Sequence, residues 1–162
     1  MTTQATTQLE SQKLFVPAMA GIYELGQSIS YPLIRFVAGF WLVPHGCQKL
    51  FGMFGGNIQG TAGFFSKYGI EPALTLSYVV GCIEFFGGLL VAIGLLTRPA
   101  AAAAAIMLAI AAFQVHLPNG FFWTTPGKPG FEYPLMWMFL MIAIFLRGGA
   151  NLSVDRLIKK EF

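Results

Sequence analysis

The sequence predicts an all-α integral membrane protein: a bundle of four transmembrane helices with both termini in the cytoplasm. Three observations predict it. Only 10% of the 162 residues are charged and 56% are hydrophobic, where a soluble domain carries about 25% charge. Mean hydropathy is +0.65. The run from Ala73 to Thr97, ALTLSYVVGCIEFFGGLLVAIGLLT, is 25 residues long and holds one formal charge, Glu84. At ~1.5 Å per helical residue such a run crosses a bilayer.

The first helix is expected over about Tyr31 to Phe51, with Pro32 in its first turn. The second covers about Pro72 to Leu96. The third runs from Arg98 to Leu117, with Pro99 in its first turn and Pro118 ending it. Its alanines suit close helix packing in lipid. The fourth covers Tyr133 to Leu146, an apolar core of 14 residues. It spans only if it continues past Arg147 or if the bilayer thins. Between helices one and two, Gly52 to Glu71 reads as a Gly-rich connection. A tight turn centred on Thr97-Arg98-Pro99 joins helices two and three, and Asn119 to Glu132 forms a loop dense in Gly, Pro and aromatics.

The Lys/Arg tally sets the orientation. One side holds Lys13, Arg98, Arg147, Arg156, Lys159 and Lys160, with Arg35 near it. The other holds Lys49, Lys67 and Lys128. The richer side is expected to be cytoplasmic, which places the chain in a bacterial inner membrane with its two long loops outside. Three regions follow. Residues 1–30 are expected to form a polar leader whose stretch from Leu14 to Gly26 either lies at the membrane surface or is a flexible leader; no cleavable signal peptide is expected. Residues 31–150 form the bundle. Residues 151–162 form a basic cytoplasmic tail, with a short helix capped by Ser153. The net charge of +3, without a dense basic cluster, gives no nucleic-acid footprint. A faint repeat pairs His45 with His116 and Gly63-Phe64-Phe65 with Gly120-Phe121-Phe122, but the spacings differ and convergent interfacial composition is the plainer reading.

Chemistry concentrates in a few residues. Arg35, Gly39, Leu42, Gly46 and Lys49 share one face of the first helix. Ser77, Gly81, Glu84, Gly88, Val91 and Leu95 share one face of the second. Small residues beside ionisable ones suggest that the two faces meet, so Arg35 or Lys49 partners Glu84. A carboxylate inside a membrane is a functional candidate by default. Glu84 is therefore a candidate proton relay, with a buried, hydrogen-bonded packing role as the plainer alternative.

His45 and His116 are the only histidines. Both are expected near the outer ends of their helices, with Lys49 one turn beyond His45 and Glu132 opening helix four. This places two imidazoles, an ammonium and a carboxylate around one outer vestibule. Trp123, Phe121, Phe122, Tyr133 and Trp137 would roof it. Such a set suits a polar headgroup, a quinone ring or a small anion, because imidazole donates to a carbonyl and exchanges protons near neutral pH. The plainer reading makes the histidines interfacial anchors and the rings an aromatic belt. Two histidines without supporting ligands assign no metal or haem site. Cys47 and Cys82 form no C-x-x-C pair and read as packing residues. No G-x-S-x-G, Walker A or H-E-x-x-H motif occurs.

Five segments, in order, resemble the DoxX family of bacterial membrane proteins: RFVAGFWLVPHGCQKLFG (Arg35 to Gly52), GCIEFFGGLLVAIGLLTRPAA (Gly81 to Ala101), VHLPNGFF (Val115 to Phe122), GFEYPL (Gly130 to Leu135) and GGANLSVD (Gly148 to Asp155). The resemblance implies a four-helix membrane bundle and draws attention to Arg35, Gly46, Lys49, Glu84, Gly88, His116, Glu132 and Asp155. It also implies a link to redox and sulfur metabolism, since the family takes its name from a subunit of a thiosulfate:quinone oxidoreductase. The expectation is a membrane subunit associated with redox metabolism that binds a quinone or a small sulfur or carbonyl compound in the outer vestibule. His45 and His116 would contact the ligand, Lys49 would attract an anion, and Arg35, Glu132 and Trp123 complete the candidate binding set. Electrons would come from a partner protein. The rival expectation is a non-catalytic accessory or assembly subunit of a larger membrane complex. A transporter would require a homo-oligomer, as no broken helix pair is evident.

Overall fold

The computed structural model describes residues 14–124 and 126–160. Lys13 and the polar stretch before it lie outside the described residues, as do the last two residues of the tail. The described residues are helical, with no strand among them. Helix α1 spans Ala20–Phe40 and α2 spans Val43–Leu50. Helix α3 is Ile58–Lys67, α4 is Ala73–Ile93, and α5 is Thr97–Asn119. Helix α6 is Glu132–Arg147 and α7 is Val154–Leu157. Helices α1, α4, α5 and α6 pack around one core, each touching the next. Of these, α4 and α5 are long and apolar enough to cross a membrane.

The packing inverts the soluble pattern. The core is built largely of small side chains: Ala38, Ala101, Ala104 and Ala112 are fully enclosed. Large rings and branched chains face outward instead, among them Phe36, Phe40, Phe86, Ile106 and Phe139. Outward apolar surface of this extent marks a membrane-facing protein, and small interfacial residues let helices approach where lipid offers no hydrophobic drive.

The first expected helix is corrected in two ways. It begins at Ala20, so Pro32 lies inside α1 rather than in a first turn. It also breaks after Phe40. Trp41 and Leu42 form a tight turn, with Leu42 N donating to Gly39 O at 3.1 Å. Pro44 enters the first turn of α2; it has no N–H to return to Phe40, so the α-helical ladder is cut there. The expected Gly-rich connection is likewise corrected, because it contains α3. Asn57 caps that helix by accepting from Gly60 N at 2.6 Å, which satisfies one of the N–H groups a helix start leaves open.

Helices α1 and α2 meet α4 on the faces that their small residues predict. A Cβ on Gly39 would lie 2.5 Å from both Ala92 N and Gly88 O, and one on Gly46 would lie 2.5 Å from Phe85 N. Backbone against backbone at that range leaves room only for hydrogen.

The tail is tied down. Ser153 caps α7 by accepting from Arg156 N at 3.2 Å. Asp155 is buried and accepts from Leu96 N at 2.8 Å, Thr97 N at 3.0 Å and Thr97 Oγ1 at 2.6 Å. It thereby serves the open N–H groups at the start of α5, where a negative charge is also favoured by the helix dipole.

Candidate functional site

Both long helices carry a π-helical turn, Ile83–Gly87 in α4 and Ala111–His116 in α5. Such single turns insert one residue and often mark functional positions. Glu84 sits in the first and His116 closes the second. At the second, Pro118 has no N–H for Gln114 O, and the chain passes into a 3-10 turn over Leu117–Asn119.

Between α2, α3, α4 and α5 lies a cavity of about 510 Å³, within the range of small-molecule sites. Lys49, Glu84 and His116 line it, with Gln48, Asn57 and Thr61 as further polar groups. Apolar walls come from Phe64, Phe65, Leu76, Val80, Leu108 and Val115. Along α5 the lining runs from Met107 to His116, about 13 Å at helical rise, so the space is an elongated slot.

Lys49 Nζ donates to Glu84 Oε2 at 2.6 Å and to Oε1 at 2.9 Å. The two side chains are only 16% and 10% exposed. The sequence had offered Arg35 or Lys49 as partner for Glu84, and Lys49 takes the place. Its depth differs from expectation. Lys49 packs beside Gly81, where a Cβ would lie 3.4 Å from Lys49 Cβ. Lys49 therefore reaches eight residues into α4 from Ala73, about 12 Å along the axis, and does not sit at its outer end. The break at Trp41 allows this, because it turns α2 against the first half of α4.

His116 is half-buried. Its Nδ1 lies 2.8 Å from Pro129 O, which also accepts from Asn119 Nδ2 at 3.1 Å. A carbonyl only accepts, so Nδ1 carries the proton and Nε2 of the neutral ring keeps its lone pair. The His116 ring lies 5.2 Å from the Trp123 ring, and Trp123 continues to Tyr133 and Trp137 at 5.1 and 5.4 Å. The loop is folded back by Gly130 N donating to Phe122 O and Glu132 N donating to Phe121 O. Trp123 therefore braces His116 from the side and is not itself a wall of the cavity.

Three candidates stand elsewhere. His45 is exposed on α2, one turn from Lys49, and does not line the cavity. Glu132 opens α6 away from the cavity lining. Arg35 is buried at 2% exposure, and its guanidinium donates to Gly149 O at 3.0 Å and Leu152 O at 2.8 Å. With Tyr31 donating to Gly148 O, it fastens the chain after α6 to α1. Arg35 is thus too far along α1 to reach Glu84, and its neighbours are carbonyls of the tail. The residues missed in the sequence are Gln48, Asn57 and Thr61. The signal for them was Asn57 as a helix cap, which the glycines of Gly52 to Gly60 obscure.

The DoxX family model matches residues 31–117, which contain Lys49, Glu84 and His116. The chain belongs to the DoxX family. Among its relatives, the Bacillus subtilis protein named "Putative oxidoreductase CatD" is 33% identical over 128 residues, 79% of this chain and 86% of that protein. A Haemophilus influenzae protein named "Uncharacterized protein" is 25% identical over 139 residues, 85% of this chain and 89% of that one. No solved structure matches the chain. DoxX membership, the two long apolar helices and the outward rings together make this a membrane-associated protein.

Proposed function

We propose that this DoxX protein is a redox-linked component of the bacterial inner membrane whose cavity binds a small ring compound bearing oxygen, of the quinone type. The observation that carries the reading is the slot itself. It is largely apolar and about 510 Å³ in volume, with the Lys49–Glu84 pair and His116 among its lining residues. An apolar enclosure with a few convergent polar groups is the form of a small-molecule site. In this reading Lys49 donates to a ligand oxygen, the Glu84 carboxylate fixes Lys49 and passes protons through it, and His116 contacts the ring substituent. Electrons are exchanged with a partner protein. The oxidoreductase name of the Bacillus subtilis relative supports the redox link.

The chain spans the bilayer four times in this arrangement, through α1 with α2, α4, α5 and α6, and both termini face the cytoplasm. The inner ends are those joined by Arg35 and Asp155, and the Lys/Arg excess lies with them. Single cysteines placed at Lys67, Lys128 and Lys159 test the topology with a membrane-impermeant thiol reagent, after Cys47 and Cys82 are replaced by serine. Labelling at the first two alone supports it, and labelling at Lys159 from outside rejects it.

The binding reading is tested on protein purified gently from its native membrane. Mass spectrometry of the extracted small molecules is expected to find a compound of the quinone type, as the quinone or its hydroquinone. Thr61→Trp, which fills the slot, is expected to remove it while the protein stays folded and monodisperse. A stoichiometric partner with no small molecule would replace this reading by that of an accessory subunit.

A further inference from the structure

We propose that the slot selects an uncharged ring compound in its reduced, hydroxyl-bearing form, with His116 Nε2 as the group that makes the selection. This rests on the reading of the slot as a quinone-type site and adds which state of the ligand it holds.

The absence of net charge comes first. Lys49, Glu84 and His116 are the only ionisable groups among the lining residues. Lys49 places one ammonium against both oxygens of Glu84, at 2.9 and 2.6 Å, so the pair is neutral as a unit. An anion entering the slot would meet the Glu84 carboxylate without a free cation to offset it. Desolvating a charge without a partner is costly, so the slot favours neutral ligands. Lys49 was expected from the sequence to attract an anion; Glu84 occupies it instead.

The second step is the direction of the hydrogen bonds. Lys49 has three N–H donors, and a third remains for a ligand oxygen. A carbonyl and a hydroxyl both accept, so Lys49 does not distinguish them. His116 does. Pro129 O fixes the proton on Nδ1 at 2.8 Å, and Nε2 makes no hydrogen bond among the described residues. In the neutral ring Nε2 can only accept. A hydroquinone or phenol hydroxyl supplies the proton it needs. A quinone carbonyl sets lone pair against lone pair and leaves Nε2 unpaired, the arrangement by which a polar site rejects an analogue lacking a hydrogen.

The test uses the full chain in lipid nanodiscs under anaerobic conditions. Binding of 1,4-naphthohydroquinone, 1,4-naphthoquinone and 1,4-dimethoxynaphthalene is followed by calorimetry. The hydroquinone is expected to bind about tenfold more tightly than either of the others, the scale of one hydrogen bond. The dimethoxy compound keeps the ring and both oxygens but has no hydroxyl proton, so it tests the donor without altering the protein. His116→Ala is expected to bring the three affinities together. Quinone binding as tight as hydroquinone binding overturns the proposal and leaves the quinone-type site standing. So does a tenfold preference that persists in His116→Ala. If none of the three compounds binds, the quinone-type site itself falls and the proposal with it.

Discussion

Lys49 and Glu84, 35 residues apart in sequence, form a two-pronged ion pair in which one ammonium serves both carboxylate oxygens. The pair joins α2 to the π-helical turn of α4 and forms one wall of the slot, so its loss has a structural and a functional readout.

Removing one partner leaves a buried charge uncompensated, which costs about 3–5 kcal/mol. Lys49→Met is expected to destabilise the protein by that order, seen as a lower melting temperature in detergent. The double variant Lys49→Met with Glu84→Leu is expected to recover most of the loss. Equal melting of the double and the single variant would show that the pair is not the source of the cost.

The glycines of α1 and α4 are steric requirements. A Cβ at Gly39 would lie 2.5 Å from backbone atoms of the facing helix, and neither backbone can yield without separating the helices. Gly39→Ala is expected to destabilise by about 1–3 kcal/mol. Gly63→Ala is the control. Its Cβ would meet nothing within 4 Å, and alanine is the better helix former by up to about 1 kcal/mol, so α3 should hold or gain stability. Chemical denaturation of both variants checks the contrast.

The tail is part of the fold. Asp155 closes the start of α5 through three hydrogen bonds to Leu96 and Thr97. Hydrogen bonds to a charged group contribute about 1.5–3 kcal/mol each, and the losses here are not independent. Asp155→Ala is expected to destabilise by about 3 kcal/mol. Limited proteolysis should then cut between Gly149 and Lys160, where the unchanged protein resists.

Glu71 gives a pH dependence. Ser66 Oγ donates to it at 2.7 Å and Ala73 N donates at 2.7 Å. Those bonds, the Ser66 hydroxyl first, hold its carboxyl below the ordinary range. A depressed carboxyl stabilises above its unfolded value and loses that contribution as pH falls through the folded one. Amide protection factors across 66–73, taken relative to the intrinsic exchange rate at each pH, should therefore fall on acidification below the usual glutamate range. In Glu71→Gln that acid-dependent change should vanish.

The amino-acid sequence by itself determined that the protein is helical and faces lipid, because charge is scarce and apolar runs are long. It determined which faces of α1 and α4 meet, because glycines at helical spacing permit an approach that other residues forbid. It named Lys49 among the partners of Glu84 for the same reason. Tertiary structure alone decided the rest. The break at Trp41 sets how deep Lys49 lies, and a single turn of this kind shifts every later residue. The π-helical turns leave no periodicity to read, since each adds one residue to an otherwise regular helix. Asn57 and Thr61 became walls only when α3 closed over the slot. Arg35 shares its face with Lys49 yet serves the tail, because the carbonyls of Gly149 and Leu152 lie beside it and Glu84 does not. A periodic pattern fixes direction around a helix; depth and distance follow only from how the helices are stacked.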